Sequence, residues 1–208
     1  MQPKISSKIS VGKTTTVRGA AQRVRILTAA RQRFIEQGFH AASMASIAEQ
    51  AGMSIGLLYR YFDSKRSIIL AIIEHQLVEN REALASLQLS TDFVSELTAA
   101  YELWSKGEAQ AWSAVLFSEV TAECARSTDI AEALQRSERT SRLDLMAWLQ
   151  KRDRRNGNKT SSKDVEVRAM LMQCLVEGLA IRAAREPHAD KKLVKSVLSK
   201  VMPIILSS

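Results

Sequence analysis

Within the fifteen residues AGMSIGLLYRYFDSK, Ala51 to Lys65, Tyr59, Arg60, Tyr61 and Lys65 place two phenolic hydroxyls, a guanidinium and an ammonium close together. Such a set donates hydrogen bonds and carries positive charge, which is the chemistry of holding an anion rather than of breaking a bond. At about 100° per residue, Gly56, Leu57, Arg60 and Tyr61 fall on the helix face opposite Leu58 and Phe62. A helix that packs Leu58 and Phe62 inward therefore offers a leucine, a tyrosine and an arginine to something outside it. Spacings suited to catalysis or metal binding fail elsewhere. SVGKT, Ser10 to Thr14, imitates the end of a phosphate-binding loop, but Ser7 stands where its first glycine belongs and no apolar strand precedes it. His40, His75 and His188 lack a second ligand at metal-site spacing. Cys124 and Cys174 fit neither a metal knuckle nor a disulfide framework and read as small buried hydrophobes. Residues 67–208 hold no nucleophile–base pair and no glycine-rich loop, so no catalytic residue, cofactor or metal is expected and the chain does not read as an enzyme.

The elements that must position these groups are helical. Between Pro3 and Pro187 no proline interrupts the 208-residue chain. Residues 1–19 form a polar, basic arm with too little apolar surface to offset its ordering entropy. From Ala20, apolar residues recur through Val24, Leu27, Ala30, Phe34 and Ile35, and Gly38 marks a helix end. Ser43 caps a second helix with Met44, Ile47, Ala48 and Ala51 inward, and Ser54 caps the third. Two short helices joined by the turn AGMS cannot lie parallel, and a crossed pair on a shared core is a helix-turn-helix. Ser64 caps a fourth helix whose Ile68, Ile69, Ile72, Ile73 and Leu77 run toward the rest of the chain. Charge follows this division. Residues 1–66 hold eleven basic and three acidic side chains, whereas the remaining 142 hold 19 of each, so the whole +8 excess sits in the first third. A basic segment on a neutral body suits a polyanion-binding module on a separate platform.

The run GFHAASMASIAEQAGMSIGLLYRYFDSKRSIIL, Gly38 to Leu70, resembles the DNA-binding signature of the TetR family of bacterial transcriptional regulators. Gly38, Phe39, Ile47, Ala48, Ala51, Gly52, Ser54, Gly56, Leu58, Tyr59, Phe62, Ser64 and Lys65 stand where that pattern expects them. It departs at Ala42-Ser43, where two threonines are common, at Met53 for valine and at Tyr61 for histidine. The resemblance implies an all-α fold: residues 20–66 as a three-helix DNA-binding domain and residues 67–208 as a helical effector-binding and dimerisation domain. It also implies that the third helix enters the major groove of double-stranded operator DNA. Ile55 and Gly56 then lie closest to the bases, Leu57 meets a thymine methyl, and Arg60 takes a guanine or a phosphate. Ser43, Ser54, Tyr59, Tyr61 and Lys65 complete the expected contact set, with Lys65 on a phosphate at the start of the fourth helix.

The rest of the chain resembles the family in layout only. Helical patterns run over residues 91–105, 108–126, 129–151, 162–186 and 190–206, and KRDRRNGNKTSSK, Lys151 to Lys163, reads as a mobile polar loop. Trp104, Trp112, Phe117, Met146 and Trp148 are candidates for lining a small-molecule effector pocket, although core packing accounts for them equally well. In the last two helices Leu171, Cys174, Leu175 and Gly178, with Val194, Val197, Leu198 and Val201, form apolar stripes that the family pairs across a two-fold axis as a homodimer. With no apolar run of membrane-spanning length and no signal-like segment, the chain reads as cytoplasmic. The expected function is a homodimeric, ligand-responsive repressor. A regulator answering a partner protein or no small molecule, or an enzyme or sensor domain carrying an accessory DNA-binding head, are the alternatives.

Overall fold

The computed structural model describes residues 17–87, 92–106 and 114–207, so residues 1–16 of the expected arm and Trp112 lie outside the described residues, while residues 17–19 of that arm already belong to the first helix. Nine helices and no strand occur among the described residues: α1 Val17–Ala41, α2 Met44–Gln50, α3 Ile55–Tyr59, α4 Lys65–Leu87, α5 Phe93–Ser105, α6 Ala114–Cys124, α7 Thr128–Arg155, α8 Ser162–Arg185 and α9 Lys191–Leu206. The all-α reading holds.

Their boundaries are chemical. The Ser43 hydroxyl accepts from the Ser46 amide while the Ser46 hydroxyl accepts from the Ser43 amide, a reciprocal capping box that fixes the start of α2. Ser54, Asp92, Ser161 and Asp190 cap α3, α5, α8 and α9, each side chain accepting a backbone amide of the first turn. Near the end of α1, Gly38 takes φ 77, a left-handed conformation that costs a side chain about 1 kcal/mol or more. The last residues, Phe39 to Ala41, therefore leave the axis of the helix before them.

One core joins the crossed pair to the body. Ile26, Phe34, Phe39, Ile47, Leu58, Phe62, Ile68 and Ile72 pack with Leu116 and Val120 of α6 and Ile130 of α7. Residues 20–66 thus share their interior with helices far along the chain. A second core holds Phe93, Tyr101, Trp148, Leu149, Val165, Leu198 and Ile205 from α5, α7, α8 and α9.

The polar stretch at 151–163 departs from its expected loop. α7 continues to Arg155, leaving a short turn before α8. The reason is a buried ion pair: Arg168 of α8 donates to Asp153 at 2.5 Å, both side chains being almost fully buried, and its guanidinium also pairs with Asp164 at 2.9 Å and reaches the Ile205 and Ser207 carbonyls at the end of α9. Burial alone would raise the Asp153 carboxyl; hydrogen bonds from Arg168 and Thr160, with the Arg168 charge, outweigh it and hold the group below its ordinary value.

Because Asp153 is depressed in the folded chain, the stability it contributes is complete above its unfolded pKa and is lost as pH falls through the folded one. Asp153→Ala leaves the buried Arg168 guanidinium with only the half-exposed Asp164 as a carboxylate partner and should cost about 2–4 kcal/mol in denaturant unfolding at pH 7. A change below about 1 kcal/mol would contradict that role for the pair.

Candidate nucleic-acid interface and ligand cavity

The face inferred for α3 is open at Gly56 and Arg60 and half-closed at Leu57 and Tyr61. Leu58 is 0% exposed and Phe62 is buried, whereas Ile55 and Tyr59 are 45% and 48% exposed and Gly56 and Arg60 are exposed. A Cβ built on Gly56 would meet nothing within 4 Å, so the chain's own packing does not demand glycine there. Leu57 is half-buried, and Tyr61, also half-buried, rests against the first core. Tyr59 is a surface aromatic, not a core ring.

The cations beside this face divide sharply by environment. Arg23 lies over the Phe62 ring at 4.4 Å and donates to the Tyr61 carbonyl; Arg25 donates to the Gly52 carbonyl at 3.2 Å. These bonds brace α1 against the helix-turn-helix. Arg31 pairs with Glu79 at 2.8 Å, Arg33 with Glu36, and Arg66 with Asp129. Arg60 alone, among the described basic side chains of residues 1–66, makes no ion pair or side-chain hydrogen bond. Much of the basic excess in this segment consequently holds the fold, which net charge by itself does not reveal.

Lys65 departs from its expected role. Its Nζ donates to the Phe39, His40 and Ala42 carbonyls at 2.6, 2.9 and 2.6 Å and sits 4.8 Å from the centre of the Phe39 ring. An ammonium has three protons, and all three are engaged on the end of α1, so none is left to donate to a phosphate. Burial lowers the Lys65 pKa, with Glu123 acting in the opposite direction.

The same end of α1 is tied to α6. The Phe39 amide donates to Glu119 Oε2 at 2.7 Å, and His40 Nε2 lies 3.0 Å from Glu123 Oε1, which also accepts from Arg126. No sequence spacing pointed to Glu119 or Glu123. They lie some 80 residues from their partners, and their helix reads from sequence only as one more amphipathic segment.

A cavity of about 440 Å³ lies among α4 to α9. Trp104, Phe117 and Trp148 line it as expected, with Ile73, Leu84 and Phe93. Met146 does not; it is half-buried against the second core. The size is ordinary for a small organic molecule. On α8 and α9, Leu171 and Val197 are exposed, as are Cys174 and Gly178, while Leu175 and Val201 are half-buried. Cys174 is therefore a surface thiol and not a core hydrophobe. Val194 and Leu198 are corrected too: they are 6% and 0% exposed because they face the chain's own second core, leaving no surface for a partner. Val167, which belongs to the α8 stripe, is exposed, and Met170, Leu193 and Ile204 supply further exposed apolar surface that the sequence stripes did not single out.

Two variants separate structural from contacting cations. Lys65→Met strands three carbonyls and should lower unfolding free energy by about 2–3 kcal/mol, leaving the salt dependence of DNA binding by the folded protein unchanged. Arg60→Ala should leave stability within about 0.5 kcal/mol and weaken duplex binding. Thermal melts with salt titrations of duplex affinity check both; a reduced salt slope in Lys65→Met with unaltered stability would reverse the assignment.

Residues 26–72 match the model for bacterial regulatory proteins of the tetR family. The HTH-type transcriptional regulator UidR of Escherichia coli (strain K12) is 34% identical over 122 residues, 57% of this chain and 59% of UidR. The match therefore spans under two thirds of that relative's length. The HTH-type transcriptional repressor BepR of Brucella suis biovar 1 is 27% identical over 172 residues, 79% of this chain and 81% of BepR. Among solved structures, Salmonella enterica GusR aligns with a TM-score of 0.69 at 27% identity, covering 94% of this chain and 100% of GusR. Bacillus subtilis FadR in complex with stearoyl-CoA aligns at 0.64 and 16% identity over 88% of this chain and 97% of FadR, a likeness of fold alone. The family model falls on the helix-turn-helix and GusR is matched across its whole length, so the helix-turn-helix segment of this chain is that of the tetR family of bacterial regulatory proteins.

Proposed function

We propose that the protein is a ligand-responsive transcriptional repressor that binds a pseudo-palindromic operator as a cytoplasmic homodimer and leaves it when a small molecule fills the cavity. One observation carries this reading: α6 and α4 each touch both the cavity and the reading head. Phe117 of α6 lines the cavity, while Glu119 and Glu123 of the same helix hold Phe39 and His40. Ile73, Gln76, Asn80 and Leu84 of α4 line the cavity, while Lys65 at its start holds the end of α1. A ligand that displaces either helix shifts the polar bonds that orient α3.

On the DNA side, Ile55, Gly56, Leu57 and Arg60 are the readout surface, and Ser43, Ser54, Tyr59 and Tyr61 are positioning groups at the backbone. Leu171, Cys174, Gly178 and Val197, with the half-buried Leu175 and Val201, supply the dimer surface; a second copy gives the two inverted half-sites their second reader. The effector releases DNA only in so far as it binds better to a spacing of heads that the operator does not fit. Coupling of about 1–3 kcal/mol corresponds to a 5- to 150-fold loss of operator affinity, and operator weakens the effector by the same factor.

Operator binding should fall with salt at a log–log slope of roughly −7 to −8, as for a dimer neutralising about eight or nine phosphates. Leu57→Ala should lose about 1 kcal/mol, selectively at a thymine position. Fluorescence anisotropy on inverted-repeat and scrambled duplexes measures both. Equal affinity for the two duplexes would exclude specific operator recognition.

A further inference from the structure

The cavity is acidic although the segment that builds it is neutral overall. Among the described residues, Glu79, Glu96, Glu138, Asp144 and Glu177 line it with Arg81 as the one cation. Two of these carboxylates are already answered: Glu79 by Arg31 and His75, and Asp144 by Arg81 at 2.7 Å. Glu96, Glu138 and Glu177 make no ion pair with any described residue. Arg142 is close enough for its charge to act on both Glu138 and Glu177, but it lies outside the lining and gives its Nε to Gln173 Oε1 at 2.9 Å.

We infer that the cavity takes an organic cation with an aromatic or amphipathic body, its charge against Glu138 and Glu177 and its body among Trp104, Phe117 and Trp148. This rests on the ligand-responsive reading above and names the ligand class. Three features select the charge. An anionic ligand would enter a wall of five carboxylates whose only guanidinium is already paired. A cation instead meets two carboxylates on neighbouring helices, Glu138 of α7 and Glu177 of α8, without having to displace an ion pair. Indole faces attract cations, and Arg152 already lies over the neighbouring Phe93 ring at 5.2 Å, which leaves Trp104 and Trp148 as the rings for a ligand. Burial raises the Glu138 and Glu177 carboxyls above the ordinary glutamate value, with Glu138 adding to the rise at Glu177 and Arg142 opposing both. A bound cation acts in the opposite sense to that desolvation, since an opposite charge favours the ionised carboxylates.

Tetraphenylphosphonium and tetraphenylborate are matched in shape and opposite in charge, which makes them suitable probes. In calorimetric titrations of the full chain, the phosphonium should bind about tenfold or more tightly than the borate, as expected for one cation–π contact together with a carboxylate pairing. The chain's net charge of +8 favours the borate elsewhere on the surface and works against the predicted order. Glu138→Gln with Glu177→Gln should abolish the preference while thermal melting stays close to that of the parent. Preference for the borate, a phosphonium preference that survives the double substitution, or binding of neither probe would overturn the inference. Repeating the titrations with operator duplex separates this claim from the regulatory one. Phosphonium binding that leaves operator affinity unchanged would support the cationic cavity and remove the effector reading. Operator release by the borate through the cavity would keep the effector reading and overturn the ligand class.

Discussion

The orientation of the reading head depends on how the chain leaves α1. Gly38 breaks the helix with a positive φ, and the groups exposed beyond it are taken up from two directions: Lys65 binds the Phe39, His40 and Ala42 carbonyls, and Glu119 accepts the Phe39 amide. Unsatisfied, these groups would be costly in a half-buried joint. Their partners sit on α4 and α6, so satisfying them fixes the head against the body. A Cβ on Gly38 would stand 3.5 Å from Glu119 Oε2, an ordinary van der Waals distance, so it is the left-handed turn that favours glycine.

From that joint the distribution of charge becomes intelligible. Cations near the DNA-facing surface are spent mainly on internal bonds: Arg23 and Arg25 hold the helix-turn-helix to α1, Arg31 meets α4, and Arg66 meets α7. Arg60 stays free on the open face. The body reverses the pattern, its neutral total concealing an acidic cavity because its other cations are placed elsewhere, as at Arg168. Net charge by segment therefore hid both the bracing role of the arginines and the polarity of the pocket.

The parts legible in sequence were those governed by short-range rules. Caps at Ser43 and Ser54, the inward Leu58 and Phe62, and the exposed α3 face follow from local chemistry and a 3.6-residue period. What escaped was set by contacts distant in sequence. Lys65 was read as a phosphate ligand because its position beside a helix start is local information, whereas the three carbonyls that occupy it lie more than twenty residues earlier. The polar run at 151–163 looked like a loop because its composition does not reveal that Asp153 meets a buried Arg168. Val194 and Leu198 could not be distinguished from Val197 by periodicity, since one apolar stripe serves both the chain's own core and the surface offered to a partner.

The account makes Glu119 an orienting residue although it lies in the body and outside the reading face. The most direct measurement is the ratio of operator to scrambled-duplex affinity for Glu119→Ala beside the parent protein, at one salt concentration and with folding verified by melting. A head held by the Phe39–Glu119 bond should lose about fivefold or more of that ratio, through weaker operator binding with unchanged scrambled-duplex binding. A ratio equal to the parent's in a folded variant would contradict the claim that this joint sets the geometry of DNA recognition.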